Sequence, residues 1–219
     1  MDGITTPPRS RAGRPTREQA DARRAELLDR ALDLFLDHGF ELTTIDAIAA
    51  ALGMTKRTIY AAYADKAALF RAAVARAVAR YRLSHEGLRE LECDDLAATL
   101  TAIAHARIAN LTTPEGLRLQ RILAAESFRF PDIFELFTRE AVQPVLATLA
   151  DLFVRRTASG AVAIDQPERT AAAFMSLVTG GPARSFVAGA AIAPAELDER
   201  IRFSVRLFLD GVRPRHGRG

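Results

Sequence analysis

Closely spaced helix boundaries within residues 44–66 constrain the fold more than any other feature of the sequence. Thr44, Thr55 and Asp65 each suit the N-cap position of a helix, and Gly53 stands between the first two. Glycine tolerates the positive φ that a tight turn between two helices requires. The segment therefore predicts two very short helices followed by a longer one.

Three small or branched residues inside this segment have the spacing of a helix-turn-helix unit. Such a unit needs a small residue inside its first helix, a glycine at the turn and a branched apolar anchor in its second helix. Ala49, Gly53 and Ile59 supply these at offsets of four and six. A preceding helix, capped near Thr16 and ended by Gly39, carries an apolar stripe and completes a three-helix domain.

The remaining chain shows helical periodicity almost everywhere and strand alternation almost nowhere, which predicts an all-α fold of about nine helices. We expect a kink or split at Pro144 and an interruption at 180–182. The polar segment 85–95 is expected to be a joint. The predicted organisation comprises a flexible basic arm (1–15), a helix-turn-helix domain (16–64), a larger helical domain (65–212) and a disordered tail (213–219).

Positive charge is concentrated around the short helices. Residues 54–83 hold seven Lys and Arg against Asp65 alone, a net charge of +6, whereas residues 84–212 hold 13 basic and 17 acidic residues, a net charge of −4. A basic patch is the electrostatic footprint of a polyanion site, although a solvated helix face has the same composition.

The third helix offers side chains for reading a DNA duplex. If it lies in the major groove, Lys56 and Arg57 can reach guanine and Thr58 a thymine methyl group. Other polar groups are candidates for backbone contacts, which position the protein without reading sequence. The predicted DNA contacts are Thr44, Thr55, Lys56, Arg57, Thr58, Tyr60, Tyr63 and Lys66. For Tyr60 and Tyr63, a core aromatic with a solvated hydroxyl is the alternative.

Residues 27–70 resemble the DNA-binding domain of the TetR family of transcriptional regulators. The match includes His38-Gly39-Phe40, Thr43-Thr44 and Thr58-Ile59-Tyr60. Family members often carry histidine and glycine where this chain has Ala62 and Arg57. The resemblance implies a homodimeric regulator, most simply a repressor, that binds a palindromic double-stranded DNA operator and is released by a small-molecule inducer.

The N-terminal arm offers a second DNA contact. Gly13-Arg14-Pro15 resembles the core of AT-hook peptides, and arginine is favoured in narrow minor grooves. Arg14 is therefore a candidate minor-groove residue, while solubility is the alternative use of such an arm.

The C-terminal half, by the same resemblance, binds the inducer. Charged residues on its apolar helix faces must either pair with one another or line a polar-tipped cavity. The candidate ligand-binding residues are Arg107, Arg121, Glu126, Phe128 and Phe134. Their many apolar and aromatic neighbours favour an apolar or amphipathic inducer.

The last two long helices are the expected dimerisation surface, since this pair and its copy could form a four-helix bundle. The candidate interface residues are Phe174, Leu177, Val178, Phe203, Leu207 and Phe208.

Other function classes find little support. The four histidines and the lone Cys93 form no catalytic or metal-ligand motif, so we expect neither an enzyme nor a cofactor. No apolar run is long enough to span a bilayer and no secretory signal is evident, so a cytoplasmic location is expected. A helical protein–protein adaptor remains the other alternative.

Overall fold

A computed structural model describes residues 16–213, and the regular secondary structure in that range is helical throughout. The all-α prediction is confirmed. The helices are α1 (Arg17–Leu42), α2 (Ile45–Ala51), α3 (Lys56–Ala62), α4 (Lys66–Tyr81), α5 (His85–Arg89), α6 (Leu96–Thr112), α7 (Pro114–Glu126), α8 (Pro131–Phe137), α9 (Gln143–Ala158), α10 (Pro167–Val187) and α11 (Pro194–Val212).

Two differences account for eleven α-helices in the described range instead of nine. The polar segment after α4 contains α5, because Ser84 caps it and Leu88 is buried. The long helix expected from Pro131 is divided into α8 and α9 by a π-helical turn at Thr138–Val142, immediately before the predicted break at Pro144.

The interruption expected at residues 180–182 is absent, since α10 continues through Pro182 to Val187. Proline removes one backbone donor and disfavours a helix interior. However, α10 packs along α9 and α6, and Pro182 itself is buried. Tertiary packing therefore overrides the local preference.

The predicted N-caps of the first four helices are confirmed. Thr16, Thr44, Thr55 and Asp65 each accept a hydrogen bond from the backbone N–H three residues later, at 2.7–3.2 Å. Gly53 has a φ of +60°, as the helix-turn-helix turn requires. These local signals define the ends of the short helices.

Two apolar clusters hold the chain together. The first joins α1–α4 to α7 and α8, and contains Phe35, Phe40, Phe70 and Phe130 in mutual aromatic contact. The second joins α5, α6, α9, α10 and α11. Because the first cluster extends beyond residue 64, the N-terminal helices share their core with the following region. The predicted domain boundaries at 64 and 212 stay predictions.

Helix α4 is fixed against α1 by an ion pair as well as by apolar packing. Arg76 donates to both carboxylate oxygens of Asp29, at 2.8 and 3.1 Å. This hydrogen bonding to Asp29 raises the pKa of Arg76, while burial acts in the opposite direction. The ion pair thus fixes the C-terminal half of α4 against α1.

Candidate DNA-binding surface and ligand cavity

Helix α3 presents its N-terminal side chains to solvent. Ile59 is fully buried and anchors the helix, together with the small Ala49 of α2, which is also buried. Lys56, Arg57 and Thr58 are exposed in the first turn. The sequence therefore turns one apolar face inward and leaves a cationic, hydroxyl-bearing face free.

The two cations of this face differ in their surroundings. Lys56 Nζ lies 2.7 Å from Asp46 Oδ1 of α2, and both side chains are more than half exposed. Such a surface pair contributes about 0–1 kcal/mol, so a phosphate or base can replace Asp46 at little cost. Arg57 forms no ion pair with any residue in the range 16–213. It is the more available of the two.

Two threonines support the start of α3. The hydroxyls of Thr55 and Thr58 lie 2.9 Å apart, and Thr55 also caps the helix. Thr44 caps α2 in the same way by accepting from Ala47 N–H. The Thr44 hydroxyl is exposed and accepts from the backbone, so its hydrogen can be donated to a phosphate, while in the exposed Thr55–Thr58 pair one hydroxyl donates to the other and leaves one hydrogen free for a phosphate.

The two tyrosines have different roles. The Tyr60 side chain is 51% exposed, whereas that of Tyr63 is 6% exposed and belongs to the core of the N-terminal helices. The Tyr63 hydroxyl accepts a hydrogen bond from Arg24 Nε at 3.1 Å. Only Tyr60 is free to contact DNA directly, and for Tyr63 the core alternative describes the structure.

Lys66 occupies a different position from the predicted phosphate contact. Its ammonium donates to the carbonyl oxygens of Phe40, Glu41 and Thr43, at 2.8, 3.1 and 2.9 Å, and lies 4.4 Å from the Phe40 ring centre. An ammonium has three protons to donate, and all three are used here. Lys66 thus binds the C-terminal end of α1. Its contacts are those of a structural residue instead of the predicted phosphate contact. Arg14, the candidate in the arm, lies outside the described residues.

A cavity of about 640 Å³ lies in the C-terminal region between α4, α6, α7, α8, α9 and α10. Its size falls within the range of small-molecule sites. Most of its lining is apolar. The lining residues are Tyr81, Arg107, Leu111, Gln120, Phe134, Phe137, Thr138, Val142, Gln143, Val145, Leu146, Ala172, Met175, Ser176, Thr179, Gly180, Ala183 and Arg184.

Arg107 is the polar feature that distinguishes this cavity. Its side chain is 8% exposed, and its Nε and Nη1 atoms are buried without a hydrogen-bond partner among the described residues. Its guanidinium carbon lies 5.5 Å from the Tyr81 ring centre. That cation–π contact contributes about 0.5–2 kcal/mol. No acidic side chain among residues 16–213 forms an ion pair with Arg107, and burying an unpaired ion costs several kcal/mol, more than the cation–π contact supplies.

Three of the five candidate ligand residues lie elsewhere. Arg121 is exposed on the opposite side of α7, near Arg118 and Asp33. Glu126 accepts a hydrogen bond from Phe40 N–H at 3.2 Å, beside the Gly39 turn. Phe128 is completely exposed. Of the five, Arg107 and Phe134 line the cavity, because α7 turns Gln120 towards it while Arg121 and Glu126 point in two other directions.

Sequence reasoning also missed residues of the cavity. Tyr81 ends α4, and its buried hydroxyl has no partner in the described chain. Gln120 and Arg184 line the same space. The only sequence signal for Tyr81 was its place on the apolar side of α4, which does not distinguish a cavity wall from solid core.

The six candidate dimer residues divide into two groups. Phe174 and Val178 are buried, and Phe208 contacts the rings of Phe153 and Phe174 within the same chain. Phe174 and Val178 are therefore corrected to core positions, whereas Phe208 is partly buried and also lines the same groove as Leu177 and Leu207. The other three are 40–58% exposed on α10 and α11: Leu177, Phe203 and Leu207.

Residues 16–213 contain no group of three or more His, Cys, Asp or Glu side chains placed to hold a metal ion. None of the helices described there has the length and apolar character needed to cross a bilayer.

Comparisons with known proteins agree with this architecture. Residues 27–73 match the family model of bacterial regulatory proteins of the TetR family, and residues 98–211 match that of the C-terminal domain of AefR-like transcriptional repressors. The HTH-type transcriptional repressor ComR of Escherichia coli is 30% identical over 187 residues, covering 82% of this chain and 85% of ComR.

Solved structures extend the likeness to nearly the whole chain. The flavonoid-responsive regulator FrrA is 28% identical with a TM-score of 0.66, covering 89% of this chain and 99% of that one. A TetR-family regulator from Mesorhizobium loti shares the fold, with a TM-score of 0.75 at 23% identity and coverage of 91% and 100%. The chain belongs to the TetR family of transcriptional regulators, which bind DNA and small-molecule ligands, act as dimers and are not enzymes.

Proposed function

We propose that this protein is a ligand-responsive repressor that binds a palindromic operator as a homodimer and is released by a small amphipathic inducer. The observation that carries the proposal is the free N-terminal face of α3, anchored from behind by the fully buried Ile59. A helix held in this way can enter a major groove without rearrangement of its own core. The repressor role is also the one named for ComR.

Arg57 and Lys56 are the proposed base-reading residues. The unpaired Arg57 guanidinium can donate two parallel hydrogen bonds to guanine O6 and N7. Lys56 can do so singly after leaving Asp46. Thr58 is the candidate for a thymine methyl group, while Thr44, Thr55 and Tyr60 would contact phosphates and fix the register.

The dimer would form through the exposed apolar residues of α10 and α11. Leu177 and Leu207 border one groove between the two helices, and Phe203 lies one turn before Leu207. A two-fold interface uses the same patch on both subunits. It would place two α3 helices on half-sites one or more DNA turns apart, which explains a palindromic operator.

Helix α4 would connect inducer binding to DNA release. Its first residue, Lys66, binds the end of α1, while its last residue, Tyr81, lines the cavity. Asn110 of α6 donates to the Tyr81 carbonyl at 2.8 Å, which ties the cavity helices to the end of α4. A ligand that prefers one position of α4 must change operator affinity by the same factor as the operator changes ligand affinity.

Fluorescence anisotropy with a DNA fragment from upstream of the protein's own gene tests the proposal. The wild-type protein is expected to bind this fragment at least about 1,000-fold more tightly than scrambled DNA of the same composition at physiological salt. Equally weak binding of both fragments would instead favour a protein–protein adaptor.

Light scattering tests the dimer surface independently. Phe203→Glu is expected to give a folded monomer, because a charge would be buried in the interface. Phe128→Glu is the matched control, since Phe128 is a fully exposed aromatic on the α7–α8 connection. A dimer that survives Phe203→Glu would place the interface elsewhere.

A further inference from the structure

We infer that the ligand of the cavity is an amphipathic organic anion of the carboxylate class, whose charged group pairs with Arg107. The inference rests on the proposed function of the cavity as the inducer site, and it names the chemistry that the site selects. It depends on the charge, the burial and the unused hydrogen-bonding groups of the cavity wall.

The charge of the cavity wall is of one sign. Two arginines, Arg107 and Arg184, line the cavity, and none of its described lining residues is acidic. An arginine stays protonated at every pH that a protein experiences. The described lining side chains therefore give the space a net positive charge.

Burial protects the charge of Arg107 from screening by water. More than nine-tenths of its side chain is buried, and two of its guanidinium nitrogens have no partner in the described chain. Arg184 is exposed, so water screens its charge. A buried cation without a counter-ion is costly, and an anion entering the cavity would remove that cost. The site therefore favours anionic over neutral ligands of the same shape.

Tyr81 supports the same ligand group. Its hydroxyl is buried, lacks a partner among the described residues and belongs to the same cavity wall as Arg107. A carboxylate accepts several hydrogen bonds and donates none, so it suits a wall that offers guanidinium and phenol donors. A primary amide or an alcohol would satisfy fewer of these donors and none of the charge.

The other lining residues indicate the chemistry of the uncharged part of the ligand. Leu111, Phe137, Val145 and Met175 present apolar surface deeper in the cavity, while Phe134 is half exposed. A hydrocarbon or aromatic body of modest size fits such a wall. The complete ligand is then a hydrophobic acid, as opposed to a sugar, a nucleotide or a cationic drug.

Matched acids and amides test the inference with the full-length protein. Isothermal titration would compare octanoate with octanamide, 4-phenylbutanoate with 4-phenylbutanamide, and 1-naphthylacetate with 1-naphthylacetamide. At least one acid is expected to bind about tenfold or more tightly than its amide, as a charge-assisted hydrogen bond implies. If none of the three acids is preferred, the inference is overturned.

Substitutions of Arg107 test whether this residue causes the preference for an acid over its amide. Arg107→Met should reduce it to less than about twofold, since the charge is lost while the apolar volume is kept. Arg107→Gln gives the same test with a polar side chain should the Met variant fail to fold. Arg121→Met removes an exposed arginine from the other face of α7 and should preserve the preference. An acid preference that persists without Arg107 would contradict the inference.

Operator release separates this inference from the proposed function. An acid that binds through Arg107 and also displaces the protein from upstream DNA supports both. If the acid binds and the DNA complex persists, the ligand class stands and the inducer role fails. If neutral compounds alone displace the protein, the inducer role stands and the anionic ligand is refuted.

Discussion

The α3 surface and the C-terminal cavity each hold an arginine that forms no ion pair with the described residues 16–213, but the two arginines lie in opposite environments. Arg57 is exposed in the first turn of α3, whereas Arg107 is buried in the cavity wall. Water screens the first, and salt weakens its attraction to phosphates. Arg107 is shielded from both water and salt. An exposed cation thus suits a long polyanion bound through many contacts, and a buried cation suits one small anion.

Lys66 is intermediate between them and shows why position decides function. It belongs to the most basic segment of the chain, yet its ammonium is directed into the protein and neutralises no acid. It instead binds carbonyl oxygens at the end of α1. A basic segment therefore contains residues with different functions, and the groups that each side chain contacts distinguish these functions.

The connection between the two regions gives the largest expected effect. Phe130 is 5% exposed and packs 4.8 Å from the Phe40 ring and 4.9 Å from the Phe70 ring, although it follows α7. Phe130→Ala should destabilise the protein by about 3–5 kcal/mol in urea unfolding, because it leaves a cavity in the shared core.

Phe128→Ala is the control for this prediction, two residues away and fully exposed. Its effect should lie within about 0.5 kcal/mol. If both variants had the same small effect, the N-terminal helices would have a core of their own, and the two regions would be independent.

These two phenylalanines also show what sequence can and cannot predict. Phe128 is a candidate ligand-binding residue from the sequence, yet it is fully exposed, whereas Phe130 two residues later is buried. Which one is buried depends on how α7 and α8 meet the N-terminal helices, a long-range contact. The caps at Thr44, Thr55 and Asp65, by contrast, are hydrogen bonds to residues three positions away, so the sequence predicted them directly.

The second prediction concerns Lys66. Lys66→Met removes three charge-assisted hydrogen bonds to carbonyl oxygens, and water can replace part of them. We therefore expect the free energy of unfolding to fall by about 2 kcal/mol. The salt dependence of operator binding should not change. A salt slope reduced by about 0.9 would instead show that Lys66 neutralises a DNA phosphate.

The third prediction concerns the turn before α3. Gly53→Ala should cost about 1–2 kcal/mol in thermal unfolding, because an L-residue is strained at a φ of +60° even though no atom lies within 4 Å of the added methyl group. Gly180→Ala, within α10 and also uncrowded, is the control and should be neutral or stabilising. Equal effects would mean that the turn does not depend on this glycine.

The cavity could be predicted only in outline. Of the predicted ligand-binding residues, Arg107 and Phe134 line the cavity, whereas Arg121 and Glu126 satisfied the same criterion and lie elsewhere. The role of Arg107 and Phe134 in ligand binding stays a prediction. Helix α7 is apolar on more than one side, so periodicity cannot tell which side faces a void. That choice is made by the packing of α6 and α10 around it.

Operator binding by Arg57→Ala, measured against a series of single base-pair variants of the upstream fragment, tests the central claim most directly. If Arg57 reads a base, the variant should lose about 1–3 kcal/mol on the wild-type site and no longer discriminate at one base pair of each half-site. The same loss on every variant would make Arg57 a backbone contact. No loss on any fragment would contradict the claim that α3 reads the DNA.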